Sequence, residues 1–384
     1  MTKVLFGVDA MLESDIYQKN LRYGLVTNNV ATTFDGKPSR LALLKAGFTI
    51  KKLFSPEHGL TAKGEDGSYQ SNITDSQTNL PVISLYGDHM KPSAEELQDI
   101  DIILFDIPDA GCRFYTYLWT MTYVMEACAA NNKKIIILDR PNPIGGNLDK
   151  AEGPWLDETS CSSFIGRWSI PVSHSCTLGE LAAYFSSTRI RNCKLEIIKV
   201  KNWNRLLSVS EAGWHFKPTS PAISDAETAK LYPGMGLLEG INVNEGRGTK
   251  YTFKIFGAPW IDASLLYDAF TQSNQAGVAV METSYVPESG IHSGLKCYGL
   301  KISVSDYHSF KPVETGLQLL HHITRLFPGQ CEERLYPTVA NPSGSGHLDK
   351  LTGVKHSFEK IKSGSIISTD VSDWKKTIQP FLLY

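Results

Sequence analysis

The sequence predicts an α/β protein built on a parallel or mostly parallel sheet, and three observations predict it. Segments of strand and helix character alternate through the first half of the chain. Several strand segments are short continuous apolar runs, the pattern of strands covered on both faces. Two helical segments open on capping boxes, Ser93-Ala94-Glu95-Glu96 and Thr177-Leu178-Gly179-Glu180. In chain order the predicted strands span 4–8, 22–27, 49–54, 82–86, 102–107, 135–139 and 195–200. Predicted helices lie between them at 39–46, 93–98, 117–131 and 178–186, an order that lets helices cover a sheet.

After Val200 the alternation fades. Residues 202–259 are rich in Trp, Pro, Gly and Asn and read as loops, with turn-forming groups at Pro233-Gly234 and Gly246-Arg247-Gly248. A second alternation follows, with a helix at 263–273, strands at 278–285 and 298–304, a helix at 313–326 and short helices at 358–362 and 374–378. The change of pattern places a boundary near residue 225, giving domains 1–225 and 226–384. A chain of 384 residues suits two domains.

Composition removes several classes of function. The chain carries 38 Lys and Arg against 40 Asp and Glu, a net charge of −2. That balance argues against nucleic-acid binding through bulk positive charge and against polybasic attachment to a membrane. The longest apolar runs, such as 102–105 and 135–138, are far too short to span a bilayer. Asp9 interrupts the apolar stretch near the start, so no signal segment is expected. A cytoplasmic protein is the expectation, with a periplasmic one, its leader absent from this sequence, as the alternative. Seven cysteines, an odd number with no Cys-x-x-Cys, predict reduced and mostly buried thiols. The run Gly234-Met235-Gly236-Leu237-Leu238-Glu239-Gly240 has one residue too many for a dinucleotide fingerprint and follows no strand. Adjacent His321 and His322 point about 100° apart on a helix, so they do not share a metal. Neither a cofactor site nor a metal site is expected.

Acid–base chemistry is what the residues favour. Three predicted strands end in loops that carry acids: Ser55-Pro56-Glu57-His58-Gly59, then 106–115 with Asp106, Asp109 and Arg113, then Asp139-Arg140-Pro141-Asn142-Pro143. Functional loops of open α/β sheets lie beyond the carboxyl ends of the strands. Asp106, Asp139 and Arg140 read equally as the salt bridges and caps that hold such loops together. The densest polar cluster is 238–249, where Glu239, Asn242, Asn244, Glu245 and Arg247 stand among glycines. Glu239 and Glu245 offer carboxylates for sugar hydroxyls or catalysis, and Arg247 offers a fork for a substrate carboxylate. The competing reading is a self-satisfied turn with an internal Glu245–Arg247 pair.

Several motifs in fixed order resemble the NamZ-type exo-β-N-acetylmuramidases, a family long catalogued as a domain of unknown function. They are Ser55-Pro56-Glu57-His58-Gly59, Asp109-Ala110-Gly111-Cys112-Arg113-Phe114-Tyr115-Thr116-Tyr117, Asp139-Arg140-Pro141-Asn142-Pro143, Glu152-Gly153-Pro154, Tyr232-Pro233-Gly234, Glu239-Gly240-Ile241-Asn242 and Glu245-Gly246-Arg247-Gly248-Thr249. The chain departs from the family pattern at Pro108, Ser173, Ala222 and Ile241. The resemblance implies a Rossmann-like N-terminal domain, a smaller α/β C-terminal domain and an active site between them. It implies release of N-acetylmuramic acid from the non-reducing end of peptidoglycan fragments, without a nucleotide cofactor. Glycosidic cleavage needs an acid for the leaving oxygen and a group facing the oxocarbenium-like centre. On this resemblance Glu57 is the general acid and His58 orients it. Glu239, Glu245 and Asp109 are candidates for the opposing group, unless a substrate acetamido group assists instead. Arg113 or Arg247 would grip the lactyl carboxylate, Tyr115 and Tyr117 would stack on the sugar, and Asn242 completes the substrate-binding set. The partner expected is a small muramic-acid-containing glycan, with no nucleic acid and no membrane.

Overall fold

A computed structural model describes residues 3–384. Strands β1 (Arg22–Thr27), β2 (Thr49–Ser55), β3 (Ile73–Thr74), β4 (Pro81–Ser84), β5 (Ile102–Asp106), β6 (Lys134–Leu138) and β7 (Lys194–Ile198) form one sheet in the order β3-β4-β2-β1-β5-β6-β7. Every neighbouring pair is parallel except β3 with β4. Helices α1 (Gly7–Leu12), α2 (Ser39–Lys45), α3 (Tyr117–Ala130), α4 (Glu158–Cys161) and α5 (Leu178–Thr188) accompany this sheet. The second half contributes α6 (Ala226–Met235), β8 (Ile255–Ala258), α7 (Ala263–Gln272), β9 (Val278–Tyr285), β10 (Cys297–Val304), α8 (Pro312–Leu326), α9 (His347–Thr352), α10 (Ser357–Lys362) and α11 (Ser372–Ile378). Its three strands pair antiparallel in the order β8-β10-β9.

The α/β class and the mostly parallel sheet agree with the apolar runs that predicted them. One buried cluster packs Phe105, Leu118, Leu238, Phe256 and Leu320 together, joining elements of both sheets. A second cluster, with Val8, Leu25, Leu104, Ile136 and Trp203, covers the other face of the parallel sheet. All seven cysteines are free. Among the described residues, no helix is long and apolar enough to cross a membrane.

Three predicted elements are corrected. Residues 4–8 are not a strand: Leu5 makes an isolated antiparallel bridge to Lys201, and the chain then turns into α1. Asp9 accepts a hydrogen bond from the Phe6 N–H at 3.0 Å, and the Gly7 N–H donates to the Asp139 carbonyl at 2.8 Å. Gly7 abuts the end of β6 so closely that a Cβ there would lie 2.3 Å from the Asp139 nitrogen. At 93–98 the capping box forms, Ser93 N–H to Glu96 at 2.7 Å and Glu96 N–H to the Ser93 hydroxyl at 3.2 Å, but only turns follow. So short a segment does not repay the cost of nucleating a helix. The region 202–259 is not all loop, since it holds α6, a 3-10 turn at Gly236–Gly240 and β8. Pro233 and Gly234 lie inside α6, and Gly234 is there for packing: a Cβ would meet the Pro312 carbonyl oxygen of α8 at 1.9 Å. Gly236 and Gly240 serve the same end against Phe114 and Leu348.

Glu152 ties the two halves together. Its buried carboxyl accepts from the N–H groups of Val313 at 3.0 Å and Glu314 at 3.2 Å, in the first turn of α8. Burial pushes its pKa up to about 7, against the pull of those two donors and of Lys230. A carboxyl raised on folding stabilises most below its ordinary value of 4.5, and that contribution is lost as pH rises through about 7. Unfolding free energy measured in denaturant from pH 5 to 8 should therefore fall. Glu152→Gln, with no proton to lose, should flatten the fall, and an unchanged slope would assign it to other groups.

Candidate active site

The site stands at the carboxyl edge of the parallel sheet. Two residues beyond β2 the chain reverses in a tight turn, with the Gly59 N–H bonded to the Pro56 carbonyl at 3.0 Å. His58 and Gly59 both take left-handed backbone angles, φ 66° and 67°. For His58 that conformation is strained, and such strain persists only where the surroundings enforce it. Here the enforcing contact is His58 Nδ1 to the Gly64 carbonyl at 2.8 Å. A carbonyl only accepts, so Nδ1 carries a proton. Nε2 then faces the Asp66 carboxylate at 3.7 Å. The turn aims buried Glu57 into a cleft, where its Oε1 accepts from the Gly67 N–H at 2.7 Å. Gly67, at φ 65°, packs against a segment of the second half of the chain: its carbonyl accepts from the Val339 N–H, and a Cβ would meet Thr338 at 2.6 Å.

The opposite wall is a charge network on the segment following α6. Arg247 holds three carboxylates: Nε bonds Glu245 at 2.8 Å, Nη2 bonds Glu239 at 2.7 Å, and Nη1 pairs with Asp66. Arg334 adds a second cation on the other oxygen of Glu245 at 3.3 Å. Three carboxyl groups thus share two guanidinium groups. Burial holds the Glu239 carboxyl above the usual carboxylate range; Arg247 opposes this, while Glu245 and Asp66 add to it. The Tyr336 hydroxyl reaches toward Glu239 at 3.5 Å, and its ring stacks on His347 with centroids 4.4 Å apart and planes at 9°.

Between the walls the cleft encloses about 800 Å³. Tyr86, Phe114, Tyr115, Phe164, Tyr232 and Phe253 give it an aromatic lining. A concave, largely aromatic space with a few converging polar groups is the usual form of a small-molecule site. Glu57 and Glu239 both face this space.

Five of the residues singled out in the sequence meet in this cleft: Glu57, His58, Tyr115, Glu239 and Arg247. Five do not line it. Glu245 lies fully buried behind Arg247, so it serves the guanidinium rather than substrate. Asp109 turns into a separate small cavity beside Phe6 and Arg140, with one oxygen accepting from the Gly111 N–H at 2.9 Å. Tyr117 donates its hydroxyl to the Thr219 carbonyl at 2.8 Å and packs edge-on to Tyr115. Asn242 spans a loop, donating to the Gln330 carbonyl at 2.8 Å and accepting from the Glu332 N–H at 2.9 Å. Arg113, expected to grip a carboxylate, is fully buried and donates to the carbonyls of Pro154 at 2.7 Å, Ile170 at 2.9 Å and Leu351 at 3.0 Å. Arg113→Leu should leave those acceptors without donors, at about 1–3 kcal/mol for each one that water does not reach. A denaturant midpoint equal to the parent's would show that the three bonds carry no stability.

The expected role of Arg247 also changes. All three of its nitrogens are engaged by protein carboxylates, so the self-satisfied turn is what forms, enlarged by Asp66 and Glu239. Tyr232 stands in a motif singled out in the sequence, but Asp66, Tyr86, Phe253, Tyr336 and His347 were not singled out there. Asp66 had a local signal, an acid in a Gly-rich stretch nine residues after Glu57. Tyr336 and His347 had none, because they reach the cleft only through long-range packing.

Residues 23–227 match the family described as exo-beta-N-acetylmuramidase NamZ, N-terminal, and residues 230–384 match its C-terminal counterpart. The chain belongs to the NamZ family. It is 36% identical over 383 residues to the peptidoglycan beta-N-acetylmuramidase NamZ of Bacillus subtilis strain 168, covering 99% of this chain and 89% of that protein. Crystal structures of two DUF1343 family proteins from Bacteroides fragilis share the fold. One superposes with a TM-score of 0.86 at 29% identity over 100% of both chains. The other has a TM-score of 0.75 at 27% identity, over 100% of this chain and 99% of that one. The two NamZ matches supply opposite walls of the cleft, Glu57 from the first and Glu239, Arg247 and Tyr336 from the second. Of Pro108, Ser173, Ala222 and Ile241, Ala222 alone lines the cleft.

Proposed function

We propose that this protein is an exo-β-N-acetylmuramidase, a glycosidase that releases N-acetylmuramic acid from the non-reducing end of peptidoglycan fragments. The observation that carries the reading is the NamZ likeness across nearly the whole chain, including both walls of the cleft. In this reading Glu57 protonates the leaving oxygen and His58, its ring fixed by Gly64, holds the turn that presents it. Glu239 faces the anomeric centre, and Arg247 keeps its carboxyl in place. The aromatic walls hold the sugar ring. A muramic-acid-containing glycan is the ligand, with no nucleic acid and no membrane surface as partner.

The elevated pKa of Glu239 supports a second assignment on the same site, with Glu239 as the acid and Glu57 as the group facing the anomeric carbon. Both assignments need the same first experiment. Incubation with a disaccharide of N-acetylmuramic acid linked to N-acetylglucosamine should release the two monosaccharides, followed by mass spectrometry. Saturable sugar binding without turnover would instead make the protein a non-catalytic glycan-binding member of the family.

A further inference from the structure

A second pocket lies apart from the cleft and shares no lining residue with it. It encloses about 600 Å³ between the loops that follow β6 and β7 and the face formed by α6 and the end of β10. Lys150, Lys230 and Arg205 line it, together with Ser173, Ser175 and Ser208, of which Ser208 already donates its hydroxyl to Glu211 at 2.6 Å. Among the described residues, no carboxylate lines it.

The three cations are not equivalent. Arg205 is already paired with Glu180 at 2.9 Å. Lys230 is 6% exposed, yet its ammonium makes a single long bond, to the Ile144 carbonyl at 3.4 Å. The Tyr307 ring lies 5.7 Å from it, and among the described residues no carboxylate is in ion-pair contact. Glu152 acts on it from a distance but is engaged by the first N–H groups of α8. Burial pulls the Lys230 amine down to about 8, with Glu152 opposing and Lys150 adding to the pull. An ammonium carries three donors, and burying a charge without partners is costly. Two lysines beside a roomy space that no carboxylate lines, the nearby Glu211 being engaged by Ser208 and His308, therefore form a site that an anion would complete.

We propose that this pocket binds a phosphate monoester, with Lys230 and Lys150 on the phosphoryl oxygens and the hydroxyls of Ser173 and Ser175 completing its hydrogen bonds. Lysine holds phosphate as a compact point charge, and two of them match a dianion better than a single carboxylate. The volume exceeds what inorganic phosphate needs, and Leu206 and Leu207 offer an apolar wall to the organic part.

The test is thermal unfolding of the full chain during titration with glucose 6-phosphate, with glucose, inorganic phosphate and acetate as separate titrants. Glucose 6-phosphate should raise Tm saturably, by about 2–4 °C at a hundredfold excess over Kd. Phosphate should do so with a weaker midpoint, and glucose should not. Lys230→Met and Lys150→Ala should each weaken the midpoint at least about tenfold while still releasing N-acetylmuramic acid, since neither residue lines the cleft. Lys150 is only partly buried, so its variant decides the matter if Lys230→Met does not fold. The proposal is overturned if no saturable rise occurs, if both lysine variants keep the parent midpoint, or if acetate matches phosphate.

Discussion

Glu57→Gln should slow the release of N-acetylmuramic acid from a natural disaccharide by about 10²–10⁴-fold, the usual contribution of a general acid. The amide keeps the shape of the carboxyl and still accepts from the Gly67 N–H, so the turn at His58 and Gly59 should persist. Stability should accordingly change by no more than about 1 kcal/mol. The diagnostic is the leaving group. An N-acetylglucosamine hydroxyl needs a proton to depart, whereas an activated phenolate departs with little help. If Glu57 is the acid, the variant should be much less impaired on an aryl N-acetylmuramide. Glu239→Gln should then lose activity on both substrates alike. The reverse pattern, with aryl glycosides rescuing only Glu239→Gln, would transfer the acid role to Glu239, as its raised pKa favours. Full activity of Glu57→Gln on the disaccharide would remove Glu57 from the chemistry.

Arg247→Met should be strongly destabilising. It removes the guanidinium shared by Asp66, Glu239 and Glu245 and leaves Arg334 as partner to one of the three. Removing one partner of a buried ion pair costs about 3–5 kcal/mol, because the remaining charge stays buried and uncompensated. Burial already raises the Glu239 carboxyl and Arg247 opposes the rise, so in the variant Glu239 should titrate higher still. Its sign is then that of a raised acid: stability should partly return as pH falls and be lost as pH rises. Arg247→Lys keeps a charge but not a fork that reaches three carboxylates, and should fall between parent and Met variant. The sugar specificity supplies an independent check. Since Arg247 is engaged within the protein, the variant should change inhibition by free N-acetylmuramic acid and by N-acetylglucosamine by similar factors. A selective loss for N-acetylmuramic acid, which alone carries the lactyl carboxylate, would mean that Arg247 leaves its partners to bind substrate.

The contrast between Arg113 and Arg247 marks how far the sequence reached. Both stand in Gly-containing loops near aromatic residues, and both offered a fork for a carboxylate. Their side chains go to different places for reasons that lie elsewhere in the chain. Arg113 is drawn inward by three carbonyls, one of them Leu351 in α9. Arg247 is held by Asp66 from the other half of the chain.

The sequence by itself determined the parallel sheet, because strands covered on both faces must be continuously apolar and that pattern is local. It also determined that Glu57 emerges beyond a strand end, since Pro56 and Gly59 shape the turn over a few residues. The order of the motifs determined the family. Only the tertiary structure decided that 4–8 docks as a bridge and a helix rather than a strand, because Asp139 and Lys201 capture its backbone groups. It likewise decided that Asp66, Arg247 and Tyr336 share one wall and that Asp109, Arg113 and Asn242 are turned away from it. Segment identity follows from neighbours in sequence, whereas the direction of a side chain and its charge partner follow from what packing brings against it.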